Sequence, residues 1–134
     1  HDALLVARAT TFLKQRYKRG QHHVATVLVC SGNREYKSLH LDNHGFGFRA
    51  APTVISNALL AGETEFSKIV SVFWEGNEDC EPVVVPPCGN CRQILAQYAP
   101  ELEVIVAKKG SGYQRVRAKD LLPFAYVKPT EGGS

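Results

Sequence analysis

The stretch Pro87-Cys88-Gly89-Asn90-Cys91-Arg92-Gln93 decides how this chain is read. Two cysteines three positions apart stand where a helix begins, ahead of the helix-compatible run Arg92-Gln93-Ile94-Leu95. Side chains at i and i+3 of a helix face the same way, so both thiols can reach one zinc ion at about 2.3 Å per bond. Amides at a helix start also lower thiol pKa values and favour the thiolate that binds metal. The bare spacing suits a redox pair or two incidental thiols as well, so three readings stand at this point.

Working outward, the helix carrying the pair runs from about Gly89 to Tyr98 and stops before Pro100, and Leu102 to Ala107 reads as a buried strand. Gly110-Ser111-Gly112 turns the chain into a strand from Tyr113 to Val116, and residues 119–123 make a short helical turn. Upstream, Lys68 to Trp74 is β-branched and apolar enough for a central strand, with Phe73 and Trp74 in the core. The acidic stretch 75–81 after it reads as a surface insertion running into Pro82-Val83-Val84-Val85-Pro86-Pro87.

The first half of the chain is equally patterned. An apolar stripe from Ala3 to Lys18 predicts a helix that stops at Arg19-Gly20, and Val24–Cys30 pairs as a hairpin with Glu35–Leu41 through the turn Ser31-Gly32-Asn33. The stretch 42–48 is a glycine-containing loop, and Pro52 fits the first turn of a second helix beginning around Ala51 and running to Leu60. The order α-β-β-α-β-α-β-β predicts an α/β fold, a three-layer α/β/α sandwich with a five-stranded mixed sheet.

With 134 residues and 44% apolar content, the chain is expected to form one domain over residues 1–128, with a frayed tail at 129–134. The formal charge of +3 is dispersed apart from Lys14-Gln15-Arg16-Tyr17-Lys18-Arg19, which at helical spacing reads as a solvated face. A basic, aromatic strand-binding stretch is missing, so nucleic acid is not expected as a partner. No apolar run approaches the roughly 18 residues of a membrane span, and the expectation is a cytoplasmic protein. Reduced thiols fit that setting: Cys30 ends an apolar strand, and Cys80 lies in the acidic loop.

The longer string around the cysteines resembles the cytidine deaminase superfamily, especially the small homo-oligomeric cytidine deaminases and blasticidin S deaminases, whose signature is P-C-G-x-C-R-Q. Pro100-Glu101-Leu102-Glu103-Val104-Ile105-Val106 and Leu121-Leu122-Pro123 are also familiar in such proteins, and the likeness extends from about Leu4 to Val127. It implies a cytidine-deaminase-like fold, Zn2+ on Cys88 and Cys91, and hydrolytic deamination of a small aminated heterocycle, a cytidine-like nucleoside, base or analogue. It further implies a homodimer or homotetramer with active sites at the subunit contacts.

In that superfamily a C/H-A-E motif at the start of the second helix supplies the third zinc ligand and a proton-shuttling Glu. This chain reads Arg49-Ala50-Ala51 there. Ala51 occupies the general acid/base position without a titratable group, and loss of such a group typically costs about 10² to 10⁴ in rate. Arg49 stands at the ligand position, where a guanidinium has no lone pair to offer. It either pairs with the two thiolates and displaces zinc, or swings away while another group completes the shell. The expectation is an impaired hydrolase of the cytidine/blasticidin S deaminase type; the alternative is a non-catalytic ligand- or partner-binding protein on the same fold. Natural drift and replacement of a Glu at position 51 both lead to these residues.

The resemblance also locates the substrate pocket. Ser38 and His40 fall at the sugar-binding places, and His22 stands where an aromatic residue would pack near the nucleoside; Phe46 and Phe48, flanking Gly47 in the loop before the site, either wall it over a planar base or serve core packing or a subunit contact. Pro87 adjoins the first cysteine on the substrate side, and Arg92 is placed to hydrogen-bond the thiolates. His40 and His44 are candidate metal or substrate groups, against a plain strand-end and loop reading. None of the three polar positions matches the family residues, which points toward a modified base or another amidine-bearing molecule.

Overall fold

The structure is a computed structural model that describes residues 2–17, 23–41, 50–87, 89–110 and 112–124. Its elements are α1 (Asp2–Arg16), β1 (Val24–Cys30), β2 (Glu35–Leu39), α2 (Ala50–Leu60), β3 (Phe66–Phe73), β4 (Val83–Val85), α3 (Gly89–Tyr98), β5 (Glu103–Ala107) and β6 (Tyr113–Arg117). The sheet runs β2-β1-β3-β5-β6, with β4 attached to β3. Only the β3/β5 pair is parallel.

Strand β1 reads as a continuous apolar run because both its faces are covered. Ala25, Val27 and Val29 pack with Val70, Val72 and Ile105 beneath Leu5, Val6, Ala9 and Leu13 of α1. Leu28 and Cys30 point the other way, into a cluster with Val54, Ile55 and Ala58 of α2 and Cys91 and Leu95 of α3. The spacing Ala51, Val54, Ile55, Ala58 is the one-face pattern of a helix laid on a sheet. The result is the expected three layers, with α1 on one face and α2 and α3 on the other.

The sheet has six strands where five were expected. The sixth is β4, whose valines sit in a proline-rich run that reads as loop. Its pairing covers only Val83 to Val85, antiparallel to Phe73, Val72 and Ser71, and Pro82 and Pro86 fall just outside the paired residues, where no ladder donor is needed. Elsewhere the boundaries move by a residue or two. α2 starts at Ala50, β3 starts at Phe66 and ends at Phe73, and β2 ends at Leu39 with only a bridge at Leu41.

The acidic insertion is stitched to the rim of the sheet. Trp74 Nε1 donates to the Cys80 carbonyl at 2.8 Å, and Tyr17 Oη donates to the Glu75 carbonyl at 2.7 Å. Gly76 adopts a φ of +86° against the Tyr17 ring, where a Cβ would come within 2.5 Å. Both the left-handed backbone and the ring demand glycine there.

At the far end of α2, Glu63 is buried and takes Nε and Nη2 of Arg34 at 2.5 and 2.8 Å and the Tyr36 hydroxyl at 2.8 Å. These donors hold its pKa down to about 2, from an ordinary 4.5. A depressed carboxylate stabilises the fold above its unfolded pKa and loses that contribution as pH falls through the folded one. Melting temperature should therefore decline between about pH 4.5 and pH 2, and Glu63→Gln should flatten that part of the curve. A calorimetric pH series on both proteins checks this.

Candidate active site

The far edge of β3 is divided. Lys68 and Ile69 pair with β5, whereas Ser71 to Phe73 pair with β4. Between the diverging strands, where β4 leads through Pro86 and Pro87 into α3, lies a cavity of about 210 Å³. A switch in strand pairing at a strand end is a common place for a ligand crevice in α/β sheets. The starts of α2 and α3 both reach it, through Ala50, Ala51 and Cys91. Their N–H ends favour negative charge there, whether thiolate or developing oxyanion.

Two cross-strand rows supply the sheet side of the cavity. In the inner row the register aligns Ser38 of β2 with Thr26 of β1 and Ser71 of β3, and then with Val85 of β4. In the outer row Val24 pairs with Phe73, and the amide of His40 donates to the Val24 carbonyl. Alternation along a strand points both rows to the same face. Val24, Thr26, His40, Ser71, Phe73 and Val85 accordingly line the cavity.

The predicted site residues fall into three groups. Ala51, His40, Pro87 and Cys91 are brought together on the cavity wall. Cys91 and Ala51 are both buried and share one packing cluster. Ser38 is buried and donates its hydroxyl to the Ala50 carbonyl, so it anchors the first residue of α2 to the sheet. Arg49, Phe48, His22 and Cys88 lie outside the described residues, as do Phe46 and His44.

One expectation is corrected: Phe73, read as core, is half-buried and faces the cavity. Arg92 donates Nε to the Pro87 carbonyl at 2.8 Å and Nη1 to the Leu121 carbonyl at 3.0 Å, and its expected contact with the Cys88 thiolate lies outside the described residues. A guanidinium prefers such fixed carbonyl acceptors when they lie within its fork. The pair clamps the turn before α3, and Arg92→Ala should lower the melting temperature by several degrees, as loss of a charged hydrogen-bond pair does. Thermal denaturation reads this directly.

Sequence reasoning missed Val24, Thr26 and Ser71 as wall residues. The available signal was the pair of hydroxyl residues at inward-facing positions of otherwise apolar strands. Thr26 Oγ1 and Ser71 Oγ are 2.7 Å apart across those strands.

The wall contributes a thiol and an imidazole, donor types that suit zinc. Among the described residues, no three of His, Cys, Asp and Glu come together as a metal cluster. Cys91 with Cys88 would give two protein ligands, and the imidazole of His40 on the same wall is the candidate for the third of a catalytic zinc site. The donor set fits zinc in kind.

No protein-family model matches the chain. Over 131 residues it is 25% identical to blasticidin-S deaminase of Bacillus cereus, covering 95% of this chain and 93% of that protein. Among solved structures it resembles the cytidine deaminase of Burkholderia pseudomallei, with TM-score 0.72 and 26% identity over 94% of this chain and 98% of that one. The cytidine deaminase of Bacillus anthracis superposes with TM-score 0.77 at 21% identity, over 91% and 86% of the two chains. That of Mycobacterium tuberculosis gives 0.71 at 20% identity, over 96% and 99%. Among the described residues no helix is long and apolar enough to cross a membrane.

Proposed function

Because the chain belongs to the cytidine deaminase superfamily, we propose that it is a hydrolase of the deaminase type acting on a small aminated heterocycle, with turnover impaired at Ala51. The observation that carries this reading is that Ala51 and Cys91 line one cavity at the starts of two helices. Cys88 and Cys91 would hold the zinc. When bound, the ion supplies an activated water beside the carbon that bears the amine.

The chain's own residues account for the rest. Phe73, Pro86 and Pro87 offer apolar surface to a planar ring and exclude water from it. The helix starts favour negative charge developing near the amine-bearing carbon. Ala51 presents a methyl group where a proton must pass between water, ring nitrogen and departing ammonia, so that step falls to solvent and slows. The protein functions as a homo-oligomer, dimer or tetramer, which light scattering checks.

A second reading is a non-catalytic binding protein on the same fold. It is favoured by the burial of Ala51 at the acid/base position, where a methyl group faces the recess in place of a titratable one. Zinc content and ammonia release, measured together on the wild type and Cys91→Ser, separate the two. The enzyme reading expects about one zinc per chain, lost in Cys91→Ser, and slow ammonia release that disappears with it. Binding of the same heterocycles without ammonia from either protein selects the second reading.

A further inference from the structure

The hydroxyl groups beneath the cavity are largely committed to the protein. Ser38 gives its single proton to the Ala50 carbonyl. Thr26 and Ser71 share a hydrogen bond of 2.7 Å, which uses one of their two protons and leaves the other. Thr26 is fully buried, whereas Ser71 is partly open to the cavity, so the remaining proton is presented by Ser71. Among the described residues the other wall groups are apolar, apart from the imidazole of His40 and the thiol of Cys91.

A ribose brings several hydroxyl groups that must each find a partner when taken out of water, or cost free energy. The described wall holds no carboxylate or carboxamide to receive them. At about 210 Å³ the cavity also lies below the roughly 300–1,000 Å³ of sites that take drug-sized ligands. The space matches one flat ring system. We infer that the pocket takes an aminated heterocycle as the free base, without its sugar, and that Ser71 is the specificity-determining residue that hydrogen-bonds an acceptor on the ring edge.

In this arrangement Thr26 donates to Ser71 Oγ, and Ser71 donates to a ring nitrogen or ring carbonyl. Phe73 and the Pro86-Pro87 turn flank the ring. The inference rests on the reading of this cavity as a site for aminated heterocycles, and its test separates the two.

Calorimetric titration of the full chain with cytosine, cytidine, adenine and adenosine measures binding independently of turnover. At least one free base should bind about 10-fold or more tightly than its ribonucleoside, the penalty expected for a few unpaired hydroxyl groups. Ser71→Ala should weaken that base by about 3- to 10-fold, read at a temperature where the variant is still folded because the buried Thr26 hydroxyl loses its partner and melting falls by a few degrees, and Ser71→Thr, which keeps the hydroxyl, should retain most of the affinity. A ribonucleoside bound as tightly as its base, or base binding unchanged in Ser71→Ala, would overturn this inference and leave the proposed function standing. Failure of all four probes to bind would overturn both.

Discussion

Replacing Ala51 with Glu should raise ammonia release by about 10² to 10⁴, the usual contribution of a positioned general acid/base. Position 51 is the second residue of α2, nearly buried, and it lines the cavity beside Cys91. A carboxylate there would sit in the first helical turn, where the unpaired N–H groups stabilise its charged form, and could still reach the cavity to accept a proton. Ala51→Gln supplies the same bulk without a titratable proton and should give no gain. Arg49→Cys/Ala51→Glu adds a third thiolate, and should exceed Ala51→Glu alone by the extent to which metal retention limits the rate. Steady-state ammonia assays with zinc content on each variant give the comparison. Silence in the double variant with zinc bound would leave ligand binding as the function.

Leu28→Ala should destabilise the fold by about 2–5 kcal/mol, the range for deleting a fully buried leucine. In a domain of this size that corresponds to roughly 8–20 °C in melting temperature. Leu28 is fully buried on β1, between its partners Tyr36 on β2 and Ile69 on β3. Neither neighbouring strand can move inward without losing its own ladder, so the vacated space collapses poorly. The side chain also supports α2 and α3 through the cluster containing Val54, Ile55 and Leu95, the same two helices whose starts meet at the cavity. Leu60→Ala is the contrast. That side chain is 90% exposed, and its loss should stay within about 0.5 kcal/mol. Denaturant titration of both variants tests the difference.

The parts of the fold legible in the chain were those where one face or one stop signal dominates. Strand Val24–Cys30 and helix Gly89–Tyr98 occur as read, because a β-branched run buried on both sides and a helix halted before Pro100 leave little choice. Strand β4 was not legible. Three valines between prolines gain a partner only because the last residues of β3 lie alongside. Phe73 was misread because periodicity says which side of a strand a residue takes, without saying whether that side is packed or hollow at that level. The meeting of Ala51 with Cys91 came from the family resemblance; spacing alone places each at a helix start and says nothing of their distance. Ser38 illustrates a further gap. Its contact with the Ala50 carbonyl depends on how the first turn of α2 settles over the inner row.

The divided edge of β3 has a bearing on how such proteins diverge. Room for a small molecule is obtained by handing the strand from one neighbour to another across Val70, so the hollow arises without dismantling the ladder. Because the recess belongs to the weave of the backbone, a wall residue such as Ala51 can differ without the architecture being asked to change. A scaffold of that kind can lose one chemistry and await another while its vessel stays whole.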